Sequence, residues 1–327
     1  MKKKVNALIY ISVATTSVTY GLRTDAASAA SPPLSISSAT PAGYVRVPGM
    51  LTDSSCVHEI PSGSTIDENQ VVTVNGNFVA QFDTCGYTPI ITRPTAPTAG
   101  DSGVDTPSTD GWQSATIQYL PGGATTWNAV SAEIVVPPAP VDTDATNYYF
   151  NGLEPINSHD SPILQPVLQY GKNACGSGCG NFWSVSAYQV FYNGAVNYTI
   201  PLRVSTGDTL IVQVYLQTVS GGTFNYVVIA YDNNLGKSGN YTYAQTSNNG
   251  GTLFPLFFPA VHESYNDNAC ENGVNFFDIW QEANVNTGPI NRVNVSPDSV
   301  QYACDEGTSP SCFDCPYIQS GTNTVVF

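Results

Sequence analysis

Thr209-Leu210-Ile211-Val212-Gln213-Val214-Tyr215-Leu216 decides the fold class. Branched and aromatic residues fill this stretch, and apolar and polar positions partly alternate, with no convincing helical periodicity. Asn225-Tyr226-Val227-Val228-Ile229-Ala230-Tyr231 repeats the pattern. Gly207-Asp208, Gly221-Gly222 and Asn233-Asn234 supply turns around the two runs. Working outward, short β-rich runs recur at residues 115–119, 130–136, 148–150, 163–168, 183–192, 198–204 and 274–280. No window carries helical periodicity. The sequence therefore predicts an all-β chain, with an antiparallel two-sheet β-sandwich of concanavalin-like or jelly-roll type over residues 111–327.

The part before residue 111 has its own organisation. Met1-Lys2-Lys3-Lys4, a mostly apolar stretch over residues 5–22 and the small-residue run 26–30 follow the order of a secretory signal peptide over residues 1–30. No stretch reaches the roughly 18 uninterrupted apolar residues of a membrane anchor, so a secreted, extracellular protein is expected. Val71-Val72-Thr73-Val74-Asn75-Gly76-Asn77-Phe78-Val79-Ala80 reads as a hairpin around Asn-Gly, inside a small N-terminal β unit. Residues 92–110, rich in Pro, Thr and Gly, read as an exposed linker. The whole of 31–110 reads either as a propeptide processed in that linker or as a small accessory domain.

Composition narrows the function classes. The net charge is −15, and from residue 111 onward four basic residues face sixteen acidic ones. Such a surface repels nucleic acid. It suits an acidic medium, where protonation of carboxylates near their reference pKa of about 4 relieves self-repulsion. Eight cysteines in an exported chain read as disulfides. Local spacing suggests Cys56 with Cys85, Cys175 with Cys179, Cys270 with Cys304 and Cys312 with Cys315. Zinc at Cys312-Phe313-Asp314-Cys315 is the competing reading, but a second ligand pair is lacking and His58, His159 and His262 are scattered. No metal and no cofactor are expected, and a monomer is. Asn197-Tyr198-Thr199, Asn240-Tyr241-Thr242 and Asn294-Val295-Ser296 match the glycosylation acceptor pattern.

Among the polar residues, a few lie in apolar runs where a side chain must find a partner or a task. A serine nucleophile at Gly176-Ser177-Gly178 lacks the strand-turn-helix setting that exposes it. Carboxylates fit better. Of the six glutamates from residue 111 onward, Glu133, Glu271, Glu282 and Glu306 read as solvated. Glu154, in Gly152-Leu153-Glu154-Pro155, stands at the expected end of a strand. Glu263, in Ala260-Val261-His262-Glu263-Ser264-Tyr265, follows a long apolar run, a setting suited to a general base or acid. Gln165, in Ile163-Leu164-Gln165-Pro166, offers NH₂ donors suited to an oxyanion. A carbohydrate- or protein-binding sandwich without catalysis is one alternative, and a glycoside hydrolase using Glu154 and Glu263 is another.

The order of these segments resembles the eqolisin-type glutamic peptidases. Trp112-Gln113-Ser114-Ala115 and Val130-Ser131-Ala132-Glu133-Ile134-Val135-Val136-Pro137 are similar to that family's opening strands. Ile163-Leu164-Gln165 is similar to its Ile-Leu-Gln segment, which continues Thr-Gly where this chain has Pro166. Trp183-Ser184-Val185-Ser186-Ala187-Tyr188 and Val204-Ser205-Thr206-Gly207-Asp208-Thr209-Leu210 continue the likeness. Ala260-Val261-His262-Glu263 falls where the family places its catalytic glutamate. The resemblance covers about 111–285, and the neprosin-like peptidases are a more distant relative. It implies an endopeptidase acting on polypeptides, with Gln165 and Glu263 on neighbouring strands holding a water between them. It leaves Glu154 as a reserve carboxylate, with Trp112, Trp183 and Tyr188 lining the cleft.

Overall fold

In the computed structural model, the stretch that set the fold class forms one long strand whose burial alternates. Leu210, Val212 and Val214 are sealed while Ile211, Gln213 and Tyr215 are half-buried, the pattern of a sheet packed on one face only. The structure describes residues 40–67, 69–92, 111–120, 124–142, 144–155, 162–171, 179–220, 223–233, 241–249, 254, 256–265, 274–285, 291–293, 300–304, 317–318 and 324–326. The expected signal peptide, the linker 93–110 and Cys175, Cys270, Cys312 and Cys315 lie outside them. Among the described residues there is no α-helix, and one turn of 3₁₀ helix occurs at Ser54–Cys56. No helix among them is long and apolar enough to cross a membrane.

Three sheets account for the strands. A small one pairs β1 (Tyr44–Val47), β2 (Met50–Asp53) and β7 (Ile90–Ile91). A nine-stranded sheet runs β21 (Val300–Cys304), β8 (Gly111–Tyr119), β18 (Leu256–Tyr265), β10 (Thr146–Glu154), β11 (Ile163–Tyr170), β12 (Ser184–Val190), β13 (Val196–Thr199) and β3 (Val57–Ile60), with β14 (Leu202–Arg203) paired to β12. An eleven-stranded sheet runs β22 (Tyr317–Ile318), β23 (Val325–Val326), β19 (Phe276–Val285), β9 (Ala124–Val135), β15 (Thr209–Ser220), β16 (Thr223–Asp232), β17 (Tyr241–Asn249), β4 (Ser64–Ile66), β5 (Val71–Val74) and β6 (Asn77–Gln81), with β20 (Asn291–Val293) paired to β19. Those strand counts are of the described residues.

The two large sheets face each other across a core that includes Trp127, Ile134, Leu153, Leu164, Leu168, Val185, Val212 and Phe257. The all-β sandwich is thus as the sequence predicts. Among the described residues its pairings are antiparallel except at two joints made by the N-terminal segment, where β3 runs parallel to β13 and β4 parallel to β17. Ile60, Ile66 and Val72 of that segment enter the main core. The hairpin β5–β6 closes at Asn75-Gly76, both at positive φ (51° and 77°). A disulfide joins Cys56 to Cys85, and Cys179 is also disulfide-bonded. Asn197 is fully buried in β13 and donates to Gln70 Oε1 at 2.9 Å, so that glycosylation acceptor is sealed.

Strands β10, β11 and β12 are buried at every position. A strand in a two-layer sandwich is wet on its outer face, so continuous burial requires a third layer. The small sheet β1–β2–β7 supplies it. Val47, Met50 and Leu51 pack on the outer face with Trp112, Tyr148, Phe150, Val167, Tyr188 and Tyr265 in a second core. All of these residues belong to one compact unit, Ile36–Phe327.

Candidate functional site

Strand β18 divides its polar residues between the two faces of the nine-stranded sheet. Val261, Glu263 and Tyr265 point outward under the small sheet, while Ala260 and His262 point into the main core. Proline breaks a β ladder and is tolerated at bulges. Pro259 sits at such a place, where the register against both neighbouring strands shifts. Beyond the shift, Glu263 faces Trp112 of β8 on one side and Tyr148 of β10 on the other. Tyr148 in turn faces Gln169 of β11, and Gln169 faces Ser184 of β12. Cross-strand partners share a face, so Trp112, Glu263, Tyr148, Gln169 and Ser184 form one row across the outer face.

Glu263 is fully buried, and its carboxylate is met by the N-terminal segment. The Pro48-Gly49 turn between β1 and β2 places Gly49 at φ +84°, a conformation that favours glycine. From there the Gly49 N–H donates to both carboxylate oxygens, at 2.9 Å to Oε1 and 2.8 Å to Oε2. The Tyr265 hydroxyl donates to Oε1, and Thr92 Oγ1 stands 3.5 Å from the same oxygen and 2.6 Å from the Tyr265 hydroxyl. Burial, with the Glu263 charge next in effect, pushes the Tyr265 phenol well above its ordinary range, so it remains a donor. Next in the row, Tyr148 donates its hydroxyl to the Arg46 carbonyl at 3.1 Å.

Gln169 is held in a polar cluster of its own. Its Oε1 accepts from the Tyr188 hydroxyl at 2.7 Å, and its Nε2 lies 3.3 Å from Ser184 Oγ, 3.4 Å from Ser186 Oγ and 3.1 Å from Cys179 Sγ. Burial raises the Tyr188 phenol well above its usual range, which keeps it protonated and donating.

The other candidate residues are distributed as follows. Gln165 shares the outer face and faces Tyr188 on β12, against Gly152 on β10. It is four positions from Gln169, roughly 13 Å further along the strand at about 3.3 Å per residue. Because β10 separates β11 from β18, Gln165 and Glu263 do not project from neighbouring strands, which differs from the arrangement expected from the sequence. With strands about 4.8 Å apart, their Cα atoms are about 16 Å apart, while Gln169 stands about 10 Å from Glu263. Glu154 accepts from the Tyr192 hydroxyl at the far end of β10, six positions beyond Tyr148 and so roughly 20 Å from the Glu263 row. Trp183 lies on the opposite face, in the main core, donating to the Pro138 carbonyl at 3.3 Å. Trp112 is on the site face, wedged edge-on against Phe150 and Phe258, and its buried Nε1 has no hydrogen-bond partner among the described residues. Among the described residues no three His, Cys, Asp or Glu side chains gather as a metal site.

No family model and no curated protein matches the sequence. Solved structures do. Scytalido-glutamic peptidase with a peptide-based transition-state analogue is 15% identical over 65% of this chain and 96% of its own, with a TM-score of 0.41. SCP-B, a member of the eqolisin family of peptidases in complex with the tripeptide Ala-Ile-His, is 16% identical over 65% and 96%, with a TM-score of 0.40. Scytalido-glutamic peptidase with a transition-state analogue inhibitor is 17% identical over 66% and 97%, also at 0.40. At these values the likeness concerns the β fold alone.

Two features of the row were missed in reading the sequence. Gln169, between Leu168 and Tyr170, reads in sequence much as Gln165 does between Leu164 and Pro166. Tyr148 carried no signal, because a tyrosine in a β-rich run reads as packing.

Proposed function

We propose that the chain is an exported, acid-acting glutamic endopeptidase, held latent by its N-terminal segment. The observation that carries the reading is the main chain already lying on Glu263: the outer face of the sheet binds polypeptide backbone, and the carboxylate is its central contact. Once residues 44–53 and 90–92 leave that face, ionised Glu263 takes a proton from water, and the water oxygen attacks the scissile carbonyl. Gln169, level with Glu263, is the carboxamide that stabilises the oxyanion. Protonated Glu263 then returns its proton to the leaving nitrogen. The acidic composition supports action at low pH.

Thr92 and Gly111 flank the linker and lie against each other. A Cβ at Gly111 would fall 2.2 Å from the Thr92 carbonyl oxygen, and Trp112 N donates to that oxygen at 3.4 Å. A cut between residues 93 and 110 therefore gives β7 a free end without displacing β8, and the strap, residues 44–53 and 90–92, stays joined to the sandwich through β3 and the Cys56–Cys85 disulfide. A glycosidase using Glu154 and Glu263 is disfavoured, because such carboxyls stand about 5 to 9.5 Å apart, less than half the separation here. One observation favours a non-catalytic role, in which Glu263 permanently anchors the small sheet: its carboxylate is closed to solvent and richly hydrogen-bonded. Digestion of a denatured protein between about pH 2 and 5 separates the readings. Chain cut in the linker is expected to cleave the substrate, and its Glu263→Gln variant is not. Equal results from the two, or no cleavage by either, would refute the peptidase.

A further inference from the structure

Tyr148 and Glu263 are cross-strand partners on adjacent strands, so their side chains rise side by side on the outer face. The strap lays main chain over both. Gly49 gives its N–H to the carboxylate, and Tyr148 gives its O–H to the Arg46 carbonyl at 3.1 Å. The pair thus receives the two polar groups that any peptide presents, a carbonyl oxygen on the phenol and an N–H on the carboxylate. The Tyr148 ring is fixed edge-on against Tyr265 (centroids 6.2 Å apart, planes at 86°), and Tyr265 itself donates to Glu263. The hydroxyl and the carboxylate therefore belong to one rigid group. Gln169, by contrast, reaches Glu263 only across the row position that Tyr148 occupies.

We propose that Tyr148 is a catalytic residue: its hydroxyl binds the scissile carbonyl and, beside Gln169, is the second donor to the oxyanion. This rests on the peptidase reading of the site. When Glu263 has taken a proton from water, the water oxygen bonds to the carbonyl carbon. The C=O π pair moves onto oxygen, where the Tyr148 O–H stabilises it without giving up its proton. As the intermediate collapses, the C–N bond breaks and the nitrogen takes the proton from Glu263, leaving a carboxylic acid and an amine. Phenols hold their proton throughout the acid range, so the donor is present at every pH where a carboxylate base works there. In the latent chain the Arg46 carbonyl occupies the position that a substrate carbonyl takes after the strap leaves.

The test is Tyr148→Phe in chain cut in the linker, with Glu263→Gln alongside. Loss of one oxyanion donor is expected to lower kcat by roughly 10²–10³, with KM changed by only a few-fold. A second readout avoids turnover: Tyr148→Phe should weaken binding of a peptide aldehyde by about 10² while leaving the matching peptide alcohol nearly unchanged, because only the aldehyde adds water to give a tetrahedral gem-diol, with one oxygen at the place of the attacking water and the other at the place of the oxyanion. If Tyr148 merely latches the strap, Tyr148→Phe will loosen latency and leave kcat and the aldehyde preference intact, which overturns the proposal while the peptidase reading stands. A cut wild-type chain without peptidase activity overturns both.

Discussion

His262 offers the most quantitative test of this architecture. It is sealed in the main core, stacked on Tyr149 (centroids 4.5 Å apart, planes 9° from parallel), with Nε2 3.3 Å from Asn147 Oδ1. Burial disfavours the imidazolium and pushes its pKa down from 6.5 to about 3. The folded pKa is depressed, so the unfolded chain binds the extra proton over the window between those values. The contribution to stability is complete above pH 6.5 and is lost as pH falls toward 3. From that shift, stability relative to neutral pH falls by about 2 kcal/mol at pH 5 and about 4 kcal/mol at pH 3.5. Urea unfolding of wild type and His262→Gln at pH 7, 5 and 3.5 reads it. The difference between the two curves isolates His262 from the carboxylates, and the variant is expected to lose that part of the pH slope. Parallel pH dependences would mean that the imidazole is solvated or charged in the folded protein, which the core placement forbids. If the chain works near pH 3, His262 sets a stability cost at the acid end.

Three further predictions concern the outer face. Gly49→Ala keeps the N–H but places a Cβ at φ +84°, which costs about 1–2 kcal/mol and so raises the open fraction of the strap roughly 5- to 30-fold. Peptidase activity of the uncut chain should rise by that factor, and unchanged activity would mean that strap opening does not limit access. Gln169→Ala should lower turnover of the cut chain roughly 10²–10³-fold and leave Tyr188 without its acceptor, at about 1–3 kcal/mol of stability. Gln165→Ala should keep turnover within about tenfold, and the reverse ranking would return the carboxamide role to Gln165.

The fold was legible where one face of a strand is wet. In β15 the half-buried Ile211, Gln213 and Tyr215 alternate with sealed Leu210, Val212 and Val214, and the period of two can be read directly. In β10, β11 and β12 it cannot, because both faces are covered and every position carries a buried residue. The joints that bind residues 57–66 to the large sheets left no local trace either. Val57 pairs in parallel with Val196, and Ser64 with Ala244, across separations that no periodicity records. Asn75-Gly76 announced its hairpin because a tight turn imposes φ on two adjacent residues. A parallel edge pairing imposes nothing so local.

The site was legible to the same degree and for the same reason. Glu263 stands out as a carboxylate within an apolar run, and desolvation is a property of its own neighbours in sequence. Its partners are set by register, a relation between strands. Gln165 and Gln169 are four apart on one strand, so both point outward and both are flanked by apolar residues; face and composition cannot choose between them. The chain of pairings from Glu263 to Tyr148 to Gln169 sets Gln169, and not Gln165, level with Glu263. Gly171 shows what a sequence signal would have to be. With φ +95° and the Ala145 carbonyl oxygen 2.1 Å from where a Cβ would sit, it admits no side chain, and it fixes where β11 ends. Counting back from that fixed end gives Gln169 the place two residues before the glycine. Tyr148 has no such marker. Its significance comes from the carboxylate beside it and the main-chain carbonyl above it, contributed by segments more than a hundred residues away on either side. A residue whose chemistry is supplied by its neighbours in space carries no mark of it in its own stretch of chain, so the variant that probes the proposed mechanism most directly is one that only the folded sheet could nominate.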